Sequence, residues 1–287
     1  MKRTWTRMMG ALVAAGVLAP AVAGCAPGGA QQPEGAAAAA PSAVVTYTAR
    51  DFAFEGPAEI PAGRTAFRLV NAGQTLHHMQ IIKLDAGKTM EDFHAAMRAG
   101  GPPPAWMHEV GGPNAPDPGG ESNATVMMEP GEYLVLCFVD TPDRVPHVMK
   151  GMIKALRVTG PMPAATPAPA ADVVMTLNDY SFALSKPLAA GRQVIRVENG
   201  ARQPHEVEII RLAPGKTLND LMGWMESMQG PPPASAIGGV AAFVPEVDNT
   251  FTADLAPGDY VLICFVPDAG DGKPHFMHGM VQAVTVS

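Results

Sequence analysis

Cysteine is scarce in this chain, three in 287 residues, and histidine is little commoner at eight. So few thiols cannot staple a fold of this length, so an apolar core must hold it. Charge is sparse too: Asp, Glu, Lys and Arg make up 16% against 47% apolar residues, a balance foreign to disordered chains. Positive charge is in deficit. The net charge of −7 excludes the basic footprint of a general nucleic-acid binder, so no nucleic-acid partner is expected. A membrane span is missing as well, since the apolar run at residues 10–23 is too short for one. What is abundant is glycine, 30 residues, and proline, 29, which favour turns and linkers over long helices. The length accommodates one to three domains.

The short apolar run follows Lys2, Arg3 and Arg7, the layout of a secretory signal. It ends in Val22-Ala23-Gly24-Cys25, which resembles a bacterial lipobox. That resemblance implies residues 1–24 as a lipoprotein signal peptide, Cys25 as the lipidated first residue, and export to the cell envelope on a lipid anchor. An ordinary signal peptide cleaved nearby also exports the chain. Either way Cys137 and Cys264 meet an oxidising compartment as thiols.

The rest of the chain is written twice. "DFAF" at 51–54 returns as "DYSF" at 179–182. "EPGEYLVLCFV" at 129–139 returns as "APGDYVLICFV" at 256–266, and "PHVMKGM" at 146–152 as "PHFMHGM" at 274–280. "GPPPA" occurs at 101–105 and 230–234. Each copy is about 115 residues, the size of a domain rather than of a solenoid repeat. The expected organisation is a flexible tether at 25–43, domain one at 44–159, a Pro/Ala linker at 160–172 and domain two at 173–287. The linker by itself sets no fixed distance between the domains.

Within each copy the pattern reads as strands. "TAFRLVN" and "QVIRVEN" alternate, placing Phe67 with Leu69 and Ile195 with Val197. "GEYLVLCFV" and "GDYVLICFV" read as buried strands after a Pro-Gly turn. One helix interrupts each copy, opened by Thr89 with Asp92 and by Thr217 with Asp220, and striped with Met90, Phe93 and Met97 or with Leu218, Leu221, Met222 and Met225. The expected fold is all-β: two tandem antiparallel Greek-key β-sandwiches of about seven strands, each with one inserted helix.

Four soft donors recur at matching places. In "PHEVEII", His205, Val207 and Ile209 share one strand face and Glu206 and Glu208 the other, so His205 points inward. Matching the Ile pairs of "LHHMQII" aligns His77 with His205 and leaves His78 outward with Glu206. The sets are His77, Cys137, His147 and Met152, and His205, Cys264, His275 and Met280. Each member alone reads as core or surface: a small buried hydrophobe, or a solvated imidazole. Together, two imidazoles, a thiolate and a thioether are the donors of a blue-copper site, with His₂Cys roughly trigonal and Met axial. A Cys137–Cys264 disulfide would require two equivalent buried strand ends to meet. The remaining candidates read as bystanders. His278 stands opposite Lys150 and reads as exposed, His94 as helix packing, His108 as a loop residue, and Met149 and Met277 as core.

The arrangement resembles the cupredoxins, the blue type 1 copper proteins of the plastocyanin and azurin kind. The resemblance rests on the "N-x-G" turn and histidine of "VNAGQTLH", matched by "VENGARQPH", and on "YLVLC…PHVMKGM" with "YVLIC…KPHFMHGM". It covers nearly the whole chain after the tether. It implies copper cycling between Cu(I) and Cu(II), one ion per domain, with His77, Cys137, His147, His205, Cys264 and His275 equatorial and Met152 and Met280 axial. It also implies single-electron exchange with a redox partner such as a cytochrome or membrane oxidoreductase. One departure stands out: nine residues separate Cys137 from His147 and ten separate Cys264 from His275, longer loops than the family uses. Long loops can still close on one metal, because closure cost grows slowly with length.

Two-domain chains of this plan also resemble copper nitrite reductases and small laccases, which hold a second copper through a histidine beside the cysteine or through His-x-His pairs. Here Leu136 and Phe138 flank Cys137, Ile263 and Phe265 flank Cys264, and no His-x-His occurs. The expectation is therefore a carrier and not an enzyme. A non-redox copper storage or delivery protein, or a metal-free interaction module, are the alternatives.

Overall fold

The computed structural model describes residues 44–164 and 168–287. The signal-like segment, Cys25, the rest of the tether and three residues of the Pro/Ala linker lie outside the described residues.

The first half carries β1 (Val44–Arg50), β2 (Ala53–Glu55), β3 (Glu59–Pro61), β4 (Gly63–Asn71), β5 (Gln80–Leu84), α1 (Met90–Ala99), β6 (Met107–Gly111), β7 (Glu121–Met128), β8 (Gly131–Leu136) and β9 (Ile153–Thr159). The second carries β10 (Val173–Asn178), β11 (Ser181–Leu184), β12 (Gly191–Asn199), β13 (His205–Leu212), α2 (Leu218–Ser227), β14 (Ala234–Phe243), β15 (Asp248–Leu255), β16 (Gly258–Ile263) and β17 (Val281–Val286). Alternation builds the strands. In β4 every second residue from Gly63 to Asn71 is buried, with Phe67 and Leu69 facing Tyr47, Val126 and Val135 in one core. Ile195 and Val197 of β12 do the same against Ile209, Tyr260 and Leu262.

The strands dominate as expected, but the sheets are mixed rather than antiparallel. β1 pairs parallel with β4, and β10 with β12. In the first half the reason is the connection: after β2 the chain crosses to the opposite sheet, where β3 pairs with β9, and returns in the direction it left. Both helices open on the Thr-Asp signal in the sequence. Thr89 Oγ1 accepts from the Asp92 amide at 3.2 Å while Asp92 accepts from the Thr89 amide at 2.9 Å, and Thr217 and Asp220 repeat the pair. The helices cover the outer face of one sheet, α1 through Phe93 on Ile82, Leu134 and Leu136, and α2 through Leu221 on Ile210, Val261 and Ile263.

The two halves are not loosely tethered. One sheet runs β11-β10-β12-β15-β7-β4-β1-β2 and the other β17-β16-β13-β14-β6-β5-β8-β9-β3, each passing through both halves. The joints are brief: Thr250 opposite Thr125, and Phe243 opposite Val110. Backbone bonds extend them, Ala241 N–H to Gly112 O at 2.9 Å and Asn114 N–H to Gly239 O at 3.1 Å. Where the strands diverge, the Asn123 side chain replaces a strand neighbour, donating to Thr252 O and accepting from Thr252 N–H, both at 2.8 Å. Gly239 is obligatory here: its φ is +147°, and a Cβ would collide with Val207 O.

The same joint overturns one expectation. Glu206 and Glu208 do face away from their own core, but not into water; they are 5% and 4% exposed between the halves. His78 is buried there too. Strand parity assigns a face and says nothing of what later covers it.

Candidate metal centres

The "N-x-G" turn places the first histidine of each set. Asn71 ends β4, accepts from the Gly73 amide at 3.0 Å and donates to Thr75 O and Pro116 O, both at 2.9 Å. Asn199 ends β12 and does the same with the Ala201 amide, Gln203 O and Phe243 O. The loop held this way delivers His77 and His205, both fully buried. Gly73 lets the chain pass close to the ring, since a Cβ there would strike His77 Nε2 and Asp51 Oδ1.

The long loops after the cysteines are zipped rather than slack. Asp140 bridges to Pro146 and Pro267 to Pro274, and the amides of His147 and His275 donate to Val139 O and Val266 O, each at 2.9 Å. Each loop is a hairpin that returns the chain beside its own cysteine. Short 3₁₀ turns, His147–Lys150 and His275–His278, follow and end on Gly151 and Gly279 with left-handed φ. They bring Met152 and Met280 back: the Cys137 amide donates to Met152 O and the Cys264 amide to Met280 O, each at 3.2 Å. Both methionines are fully buried.

The side chains converge. The donor atoms of His77, Cys137 and His147 lie within 4.8 Å of one another, as do those of His205, Cys264 and His275. Nδ1 of His77 and Nδ1 of His147 are 3.0 Å apart, and Cys137 Sγ is 3.5 Å from the latter. In the second set Cys264 Sγ is 3.4 Å from His275 Nδ1 and 3.9 Å from His205 Nδ1. The inward nitrogen is fixed from outside. His77 Nε2 donates to Asp51 at 2.9 Å and His205 Nε2 to Asp179 at 3.0 Å, leaving each Nδ1 lone pair aimed at the thiol. A thiol proton, a ring N–H or a cation can lie among these lone pairs, and this set of nitrogens and sulfur suits copper. Both cysteines are free, and no disulfide joins them.

Burial keeps the groups uncharged. It holds all four histidines below the ordinary imidazole value, His147 and His275 at about 4, so they are neutral donors at neutral pH. Burial pushes the Cys137 thiol up to about 12 and Cys264 up as well, with Glu206 adding to the latter. A bound cation must therefore displace a thiol proton.

Each second histidine sits under an aromatic lid. Phe52 meets the His147 ring edge-on at 5.1 Å and Tyr180 meets His275 at 5.6 Å. Both lids hold left-handed φ, 67° and 65°, costly for an aromatic residue, and both follow the aspartate that orients the first histidine. Under them His147 Nε2 and His275 Nε2 are buried without a hydrogen-bond partner.

Several residues behave otherwise than their sequence suggested. Met149 and Met277 are exposed, 46% and 61%, because the 3₁₀ turns point them outward. His278 is exposed, as expected, and lies 3.1 Å from Asp271 and against Tyr180; Asp268, Asp271 and His278 make a third group with donors within 4.8 Å. His108 lies in β6 rather than in a loop and bonds Asp85 at 2.9 Å, while His94 packs against Phe93 as expected. Asp51, Asp179, Phe52 and Tyr180 went unassigned, although the repeated "D-aromatic-x-F" contained all four.

No protein-family model matches the chain, and no curated protein matches it. Solved structures do. An auracyanin from Roseiflexus castenholzii, sodium-dithionite reduced, is 20% identical over 42% of this chain and all of its own, with a TM-score of 0.29. A multicopper oxidase is 14% identical over 86% of this chain and 88% of its own, TM-score 0.24. A copper nitrite reductase from Nitrosomonas europaea is 13% identical over 86% and 93%, TM-score 0.27. These identities concern the fold. They overturn the expectation that the chain is not an enzyme, because structures similar to it include an oxidase and a reductase. The lack of a histidine beside either cysteine and of His-x-His pairs removes two known ligand patterns and does not remove catalysis. What the chain itself presents is two buried His₂Cys groups placed to hold a metal ion.

Proposed function

We propose that this chain is an exported, membrane-tethered copper protein that moves single electrons, with one type 1-like centre in each half. His77, Cys137, His147 and Met152 would hold one ion; His205, Cys264, His275 and Met280 would hold the other. Copper supplies a one-electron couple there, with thiolate and thioether suiting Cu(I) and imidazole suiting both oxidation states. The observation that carries the reading is the convergence of two neutral imidazole nitrogens and one thiol in each half, oriented by a carboxylate and sealed from water. Asp51 and Asp179 lock the ring tautomer, the zipped loops hold the second histidine, and the aromatic lids exclude solvent. The repeated sequence supports duplication of one ancestral domain, and the lipobox at Cys25 supports a lipid anchor. A redox protein in the same compartment would be the partner.

Copper titration of the purified chain, followed by visible and electron paramagnetic resonance spectra, tests this. Two equivalents bound, with an intense thiolate–copper band halved by Cys137→Ser or Cys264→Ser and abolished by both, is the expected result. A chain that retains no copper after dialysis refutes it. Cys25→Ala should move the protein out of the detergent phase in a partition assay if the anchor is lipid.

A further inference from the structure

The acids and amides buried between the halves form a continuous chain. The Phe138 amide, next to Cys137, donates to His78 Nε2 at 2.8 Å. From His78 the path reaches Asn114 through the backbone: the next amide, Met79 N–H, donates to Pro113 O at 2.9 Å, and Pro113 precedes Asn114. Asn114 Nδ2 donates to Glu206 Oε2 at 3.3 Å. Glu206 Oε1 accepts from the Phe265 amide, next to Cys264, at 2.9 Å. The Glu206 amide also points at Cys264 Sγ, 3.5 Å away.

The placement has a logic beyond filling space. His78 follows His77 in sequence and Glu206 follows His205, so each bridging residue is joined covalently to one proposed ligand. Each also accepts from the amide beyond the cysteine of the same set. The residues differ, an imidazole and a carboxylate, but the acceptor position is the same. Asn114 is 3% exposed and links the two. Apolar residues would seal this joint at lower desolvation cost, so a polar chain kept here calls for a reason.

We propose that Phe138, His78, Asn114, Glu206 and Phe265 form the conducting bridge between the two centres, making the chain a coupled two-centre relay. It rests on the copper reading above. One electron leaves the reduced ion beside one cysteine and arrives at the oxidised ion beside the other. No bond forms or breaks and no proton is released. Hydrogen-bonded and covalent links carry electronic coupling better than gaps, so cutting the middle link slows the exchange while leaving both donor sets in place.

The experiment uses the full chain loaded with copper, reduced by less than one equivalent in a pulse of solvated electrons. The Cys137→Ser and Cys264→Ser forms supply the reference spectrum of each centre. The expected result is a redistribution phase independent of protein concentration, slowed about tenfold by Asn114→Leu. Asn114→Ala serves if the leucine form does not fold. A second readout needs no copper: nuclear magnetic resonance of the metal-free chain should show a through-hydrogen-bond coupling between the Phe138 amide nitrogen and His78 Nε2. A chain that takes up no copper overturns the copper reading and the bridge together. A chain that loads two ions but shows no intramolecular phase, or the same phase in both Asn114 variants, overturns the bridge alone. So does the absence of the nitrogen–nitrogen coupling.

Discussion

The two donor clusters present the same atoms, yet the charged groups behind them differ. Over His147 lies Phe52, with the Lys150 ammonium 5.6 Å above that ring. Over His275 lies Tyr180, whose hydroxyl donates to Asp268 at 2.6 Å, and that carboxylate is 3.8 Å from His275 Nε2. Four hydrogen bonds, from Tyr180, Gln203 and the Gly270 and Asp271 amides, hold Asp268 well below the usual carboxylate range. Thr141, at the matching point of the first loop, brings no charge. The ligands choose the metal; the groups behind them set how firmly it holds its electron. An anion behind His275 favours the more positive ion, whereas Lys150 near His147 is paired with Asp143 at 3.0 Å, so with copper bound the second centre would be the lower-potential one.

The largest effect should come from what the halves share. Asp51→Ala and Asp179→Ala each release a histidine ring, and competition titration should show metal affinity at the affected centre falling about 10–100-fold, by similar factors in the two halves. Unequal losses would mean that the outer partners are not equivalent.

Next comes the difference itself. Asp268→Asn should raise the potential of the second centre toward the first, changing its Cu(I)-to-Cu(II) ratio at fixed potential about tenfold in spectroelectrochemical titration. The first centre should not move. Lys150→Met should shift the first centre the other way and by less, since the ammonium is partly solvated. Tyr180→Phe, which copies the first lid, should give a smaller rise at the second centre by untying Asp268.

The joint yields a contrast in pH. Where the first half places His78 and Gln80, the second places Glu206 and Glu208. Burial raises both acids, Glu206 to about 7 and Glu208 well above 4.5, the latter also through repulsion by Glu206. A carboxyl whose folded value is raised contributes stability that is complete below the unfolded value and lost as pH rises through the folded one. The metal-free chain should therefore lose thermal stability from pH 5 toward pH 8 on account of this pair. Glu208→Gln, the residue type of the first half, should flatten that slope. An unchanged slope would show that the pair stays ionised.

How much of this the sequence disclosed depends on the kind of signal. Strands and helices announced themselves through alternation and the Thr-Asp caps, because those patterns are local. The alignment of His77 rather than His78 with His205 came from the Ile pairs, since a one-residue slip turns every side chain over. The shared sheets left no such trace: they meet at few register pairs and borrow the Asn123 side chain, and no periodicity encodes that. The lids stayed hidden for another reason. A left-handed backbone is normally marked by glycine or asparagine, and Phe52 and Tyr180 occupy it without either. Parallel pairing of β1 with β4 depends on where β3 goes, and three residues of strand say little alone.

The continuous sheets carry a last consequence, for the chain's own past and for anyone who divides it. The stretch of sequence that repeats is half of the stretch that folds. A half expressed alone would present the open edges of β6 and β7, with Val110 and the Asn123 side chain lacking their neighbours, and an open edge is a template for another strand. Its natural complement is a second copy of itself, so the separated half is expected to run as a dimer in sedimentation. Joining the halves in one chain gives each edge its mate at a fixed ratio of one to one, whatever the protein's abundance.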